Sequence, residues 1–129
     1  VYKRQGCESY LREAIRLEPG YRNAYQLLSG AMIRRGFGRE GHRIALEGLA
    51  QTRRDRELWA LVSESYILKG DLPAATRARE AAIGADPSAG YQWSRLADLL
   101  EAMGEGERAA RARETADSLE AVQTEGISS

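Results

Sequence analysis

Apolar residues recur along this chain at spacings of three and four, which places them on one stripe of an α-helix. The clearest runs are Tyr25-x2-Leu28-x3-Met32, Trp59-x2-Val62-x3-Tyr66 and Trp93-x2-Leu96-x3-Leu100. Tyr25, Trp59 and Trp93 lie 34 residues apart, and Gly36, Gly70 and Gly104 keep the same interval eleven residues behind them. A fixed period of that length predicts stacked helix pairs. Each pair buries its apolar face only against its neighbours, so the stack presents a long surface rather than a catalytic pocket. The chain is therefore expected to bind rather than to catalyse.

In-register comparison predicts two helices per unit. Ser29, Ser63 and Ala97 on the first helices are small, as are Gly41, Gly48, Ala75, Ala82, Ala109 and Ala116 on the second. Larger side chains there would push two antiparallel helices apart. Gly36, Gly70 and Gly104 fall where the first helix ends, a position that asks for left-handed backbone. Gly41 and Gly48 inside one helix cost about 1 kcal/mol each relative to alanine, so the second unit is expected to be the weakest pair.

These residues and offsets resemble the tetratricopeptide repeat family, whose signature sets an aromatic, Leu, Gly/Ala, Tyr, Ala, aromatic and Pro at the same places. The third unit matches as Trp59, Val62, Ser63, Tyr66, Ala75, Ala82 and Pro87, and the fourth as Trp93, Leu96, Ala97, Leu100, Ala109 and Ala116. In the second, Arg53 stands where the closing proline is expected. The resemblance implies an all-α, right-handed superhelix of antiparallel helix pairs with about three and a half repeats. The expected division is 6–19 as the second helix of a truncated repeat (Cys7, Leu11, Ala14, Pro19), then repeats over 20–53, 54–87 and 88–120. A polar tail, 121–129, is expected to be disordered. Where the family has an aromatic on the second helix, this chain has Leu11, Ala45, Arg79 and Arg113. That layer is underfilled unless the arginine stems lie along it.

Residues 1–5, Val1 to Gln5, match the translation of a sequencing-library transposon end and are read as a non-native scar, excluded from the fold reasoning. On that reading the chain is a fragment whose first repeat has lost a helix, and fraying of the uncovered repeat or self-association through it is expected. Beyond residue 5, Lys69 is the only lysine against sixteen arginines, a bias of GC-rich bacterial genomes. No stretch approaches the roughly 18 apolar residues of a membrane span. Nothing in the sequence chooses between the cytoplasm and the periplasm of a bacterium.

The net charge of zero hides an asymmetry: residues 6–56 hold ten arginines against six acids, and 57–129 hold seven basic residues against thirteen acids. The cluster Arg34, Arg35, Arg39, Arg43, Arg53 and Arg54 lacks interleaved exposed aromatics and spreads over two helices and a loop, which fits a solvated face better than a nucleic-acid site. His42 is the only histidine, too few for a metal site of three or four ligands. Cys7 is the only cysteine and sits at a small packing position, so it is expected to behave as a buried apolar group. Gly36-Phe37-Gly38-Arg39-Glu40-Gly41 follows a helix, which removes the strand context of a dinucleotide fingerprint. Trp59 and Trp93 are periodic and expected in the core. No catalytic residues, cofactor or metal are expected.

The family resemblance implies that the first helices line a concave groove that holds extended peptides or partner helices. By helical phase these helices offer Asn23, Gln26, Leu27 and Gly30, then Glu57, Ala60, Leu61 and Glu64, then Tyr91, Ser94, Arg95 and Asp98. Glu57, Glu64, Asp98 and Glu101 form an acidic strip that predicts a partner with basic residues. A chaperone-tail clamp would need Lys and Asn where this chain has Gln26, Gly30, Leu61, Tyr91 and Arg95, which argues against that ligand. The expected function is a protein-interaction scaffold. The other readings are a helical accessory region of a larger enzyme, such as a transferase, or of an envelope assembly protein.

Overall fold

The structure, a computed structural model, describes residues 2–52 and 55–128, with side chains over 8–52 and 55–122. Seven helices and no strand occur among the described residues: α1 (Tyr2–Leu17), α2 (Arg22–Arg34), α3 (Gly38–Thr52), α4 (Arg56–Lys69), α5 (Leu72–Ala85), α6 (Gly90–Ala102) and α7 (Gly106–Ser128). Helices α2 and α3, α4 and α5, and α6 and α7 pack as pairs; α3 packs on α4 and α5 on α6, while α1 rests on α2.

The turn inside each pair is the same device used three times. Gly36, Gly70 and Gly104 have φ of 88°, 80° and 80°. At each, the glycine amide donates three residues back and the next amide five residues back, as in Gly70 to Ile67 and Asp71 to Tyr66. This is the Schellman closure, which only a left-handed residue allows. Starts are less uniform. Asp55 caps α4 by accepting from the Glu57 and Leu58 amides, and Asp71 caps α5 through the Ala74 amide.

Small residues hold each pair together, and two pairs add the same hydrogen bond one period apart. Ser29 Oγ donates to the Gly41 carbonyl at 2.7 Å and Ser63 Oγ to the Ala75 carbonyl at 2.8 Å, both in the interior. Gly41 and Gly48 sit at close approaches of α3 to its neighbours. A Cβ on Gly41 would lie 2.7 Å from Ile33 Cγ1 and 2.9 Å from the Ser29 carbonyl oxygen; one on Gly48 would lie 2.7 Å from Leu58 Cδ1 and 2.8 Å from Tyr25 Cβ. The helices approach so closely that the missing methyl group is a packing requirement.

The apolar core falls into two clusters. One runs from Tyr25 to Ala78 through Leu28, Ile44, Leu58 and Val62; the other joins Ile83 to Leu96, Ala97, Leu100, Ala109 and Ala112. Trp59 and Trp93 sit half-buried at the cluster margins rather than inside them. An indole must satisfy its N–H, and that of Trp93 reaches the Pro87 carbonyl at 2.8 Å. The tail also departs from expectation. Helix α7 continues to Ser128, through Gly126, across the segment whose polar composition suggested disorder; Leu119 to Gln123, helix formers without glycine or proline, carry it past Glu120. The side chains of Val1 to Gln5 and of Cys7, and the whole of Arg53 and Arg54, lie outside the described residues.

Candidate functional site

The expected groove residues lie on helices α2, α4 and α6, and several of the polar ones are bonded, mostly to residues outside that set. Gln26 Nε2 donates to Asp55 Oδ1 and Oδ2 at 3.0 and 2.8 Å, joining α2 to the capped start of α4. Asn23, Gln26 and Glu57 line a depression of about 380 Å³ together with Arg22, Arg56 and Asp86. Leu27 is 58% exposed and Tyr91 47% exposed, and Leu61 is half-buried against the first core cluster. Gly30 and Ala60 are buried, so they contribute no side chain to a ligand. Ser94 is half-buried and Arg95 exposed.

A chain of hydrogen bonds crosses from α4 through α5 to α6. Arg79, on α5 and 2% exposed, donates from Nη1 to Gln92 Oε1 at 2.5 Å and from Nη2 to Glu64 Oε1 at 3.0 Å. Gln92, wholly buried, donates from Nε2 to the Tyr91 hydroxyl at 3.0 Å, and that hydroxyl donates to Glu57 Oε1 at 2.5 Å. Arg56 binds the same Glu57 oxygen at 3.2 Å and pairs with Asp86, which accepts from the Ser88 amide and hydroxyl. Burial pushes the Arg79 pKa below the usual arginine range, with Glu64 pulling it back up; arginine remains a cation at neutral pH regardless. Burial raises the Tyr91 phenol, helped by its bond to Glu57. Two bonds from Ser88 hold Asp86 below the ordinary carboxylate value.

The acidic strip is consequently compensated from within. Glu64 meets Arg79, Glu57 meets Arg56, and Arg113 Nη2 lies 3.1 Å from Asp98 and 2.5 Å from Glu101. Those two carboxylates hold Arg113 above its usual range, Glu101 first. The arginines at the position where an aromatic was expected therefore do more than lay stems along the core: Arg79 from the interior and Arg113 from the surface each bond a carboxylate of their own repeat. Arg95 has no ion-pair partner among the described residues.

Gln92 and Asp55 are missing from the sequence-derived groove. A signal for Gln92 existed: 34 residues earlier, Ala45 and Leu58 occupy the places of Arg79 and Gln92, so both members of one interface change from apolar to polar together. Among the described residues no cluster of three or more His, Cys, Asp or Glu side chains could hold a metal ion, and no helix is long and apolar enough to cross a membrane.

No protein-family model matches the chain, and no curated protein matches it in sequence. Solved structures do match. A crystal structure of MamA aligns with a TM-score of 0.79 at 16% identity, covering 90% of this chain and 68% of that one. The MamA RS-1 ArsTM double mutant gives 0.82 at 16%, covering 94% and 68%. MamA 41-end from Desulfovibrio magneticus RS-1 gives 0.81 at 16%, also covering 94% and 68%. The chain is similar to MamA in fold. At that identity the likeness speaks to architecture alone: a tetratricopeptide-like helical solenoid, with the 34-residue period as its repeat.

Proposed function

We propose that the chain is a protein-interaction scaffold whose concave face docks an extended or helical segment of a partner protein. The observation that carries this reading is that the first helices of three successive repeats each carry an apolar side chain at an expected groove position, Leu27 and Leu61 in register on α2 and α4 and Tyr91 one turn before the matching Arg95 on α6, with Leu27 and Tyr91 about half exposed. Apolar side chains left in a concave surface, rimmed by satisfied polar groups, suit the anchor residues of a docked segment. A partner's basic residues would have to compete with Arg56, Arg79 and Arg113 for the oxygens of Glu57, Glu64, Asp98 and Glu101. Recognition in this proposal therefore rests on apolar anchors rather than on an acidic strip.

The test is to select displayed peptides against the purified chain and map the best binder by amide chemical-shift changes. Shifts concentrated in α2, α4 and α6 are expected, with Leu27→Asp weakening binding roughly tenfold or more and Glu114→Lys, on α7, leaving it unchanged. Shifts confined to α3 and α5, or a Leu27→Asp variant that binds as the parent does, would overturn the proposal.

A further inference from the structure

The edge of the solenoid where first helices turn into second helices holds a pocket that the groove does not use. It measures about 360 Å³ and is walled by Gly38, Arg39 and His42 at the start of α3 and by Ser65, Leu68 and Lys69 at the end of α4. Comparison with the next interface explains it. One period on, the places of His42, Ser65, Leu68 and Lys69 are taken by Thr76, Leu99, Ala102 and Met103. There Leu99, larger than the Ser65 it replaces, is buried, and Met103 Sδ lies 3.9 Å from Thr76 Oγ1, so two apolar side chains turn into that interface. Here Ser65 turns its hydroxyl inward to the Val62 carbonyl at 2.7 Å, and His42 Nδ1 bonds the same hydroxyl at 2.7 Å while its ring stands edge-on to Tyr66. The space that Leu99 and Met103 fill one repeat later is left open.

The rim is apolar and cationic. Leu68 is 57% exposed, and Phe37, on the adjoining turn, 52%. Among the described residues neither Arg39 nor Lys69 has an ion-pair partner, because the carboxylates of the neighbouring segments are engaged: Glu40 with Arg43 and Arg12, Glu8 with Arg35, and Asp71 with the Ala74 amide. We propose that this pocket docks a segment of a partner protein in which a leucine- or phenylalanine-sized side chain is flanked by aspartates or glutamates. The apolar side chain covers Leu68 and enters the cavity, whose size lies in the range of ligand-binding clefts and leaves room for the segment's backbone. The flanking carboxylates meet Arg39 and Lys69, giving selectivity and a dependence on salt. The site shares no lining residue with the groove, so the two can be tested apart.

The experiment titrates the chain with two fluorescein-labelled peptides of equal length, one with a central leucine between aspartates and glutamates, the other with the same leucine between lysines and arginines. The acidic peptide is expected to bind at least roughly tenfold tighter, and to lose on the order of tenfold in Leu68→Asp and in the Arg39→Glu/Lys69→Glu double variant. The milder Arg39→Gln/Lys69→Gln pair should show a smaller loss in the same direction, and Leu27→Asp in the groove should bind as the parent does. Equal affinities for the two peptides, no detectable binding of the acidic one, or full binding by the charge-reversed variant with an unchanged melting curve would each overturn the proposal. Binding lost in Leu27→Asp but kept in Leu68→Asp would seat the peptide in the groove and overturn it as well.

Discussion

A single added methyl group distinguishes Gly48 from Gly84. At Gly48 it would meet Leu58 and Tyr25 below 3 Å, whereas at Gly84 it meets nothing within 4 Å. Gly48→Ala should therefore cost about 1 to 3 kcal/mol through overpacking, although helix propensity alone favours alanine. Gly84→Ala, with propensity unopposed, should gain up to about 1 kcal/mol. Urea midpoints that move in opposite directions would bear this out; a gain in both would show that α2 and α3 can part freely. His42 makes a second residue-scale prediction. Burial, with Lys69 adding to it, holds the imidazole below its ordinary pKa of 6.5. The unfolded chain then takes up the proton first, so the contribution of His42 is complete above about 6.5 and is lost as pH falls through that value toward the lower folded one. His42→Gln should flatten the decline in melting temperature between about pH 7 and 5, whereas an unaltered slope would mean that other groups cause it.

Among the elements, α1 and α4 occupy contrasting places. Helix α1 rests on α2 and leaves Tyr10 81% and Leu17 69% exposed, while α4 is held by α2, α3 and α5. Amides of α1 should exchange with solvent faster than those of α4 by orders of magnitude, because local opening of an end element breaks few contacts. Hydrogen exchange would check this, and equal protection in a monomer would refute it. The elements themselves were largely legible: a period carried by Tyr25, Trp59 and Trp93, and stops carried by Gly36, Gly70 and Gly104, need no tertiary information. What the sequence left hidden is which polar residues the helices bring together. Glu64, Arg79 and Gln92 lie on three different helices, and only the stacking angle decides that one guanidinium meets the other two. The same is true of Gly41 and Gly48, whose close approaches to α2 and α4 no sequence pattern gives. The pocket at the turn edge was equally out of reach, since it is defined by what Ser65 and Lys69 fail to fill.

For the whole molecule, the two apolar clusters part along α5, between Ala78 and Ile83, and the polar pair of Arg79 and Gln92 sits beside that boundary. Gln92→Leu alone should cost about 1 to 3 kcal/mol, because it strands a buried guanidinium whose Nε already lacks a partner. The double variant Arg79→Leu/Gln92→Leu, which restores the apolar character of Ala45 and Leu58 one repeat earlier, should recover most of that loss. Chemical denaturation of the two single variants and the double closes the cycle; strictly additive costs would show that the residues do not act together. The same guanidinium touches Glu64 on α4 and Gln92 on α6, two successive helices of the groove. Apolar contacts tolerate sliding, but a planar fork of fixed N–H directions does not. The placement of α6 relative to α4 is thus held by one arginine acting as a gauge block between two helices.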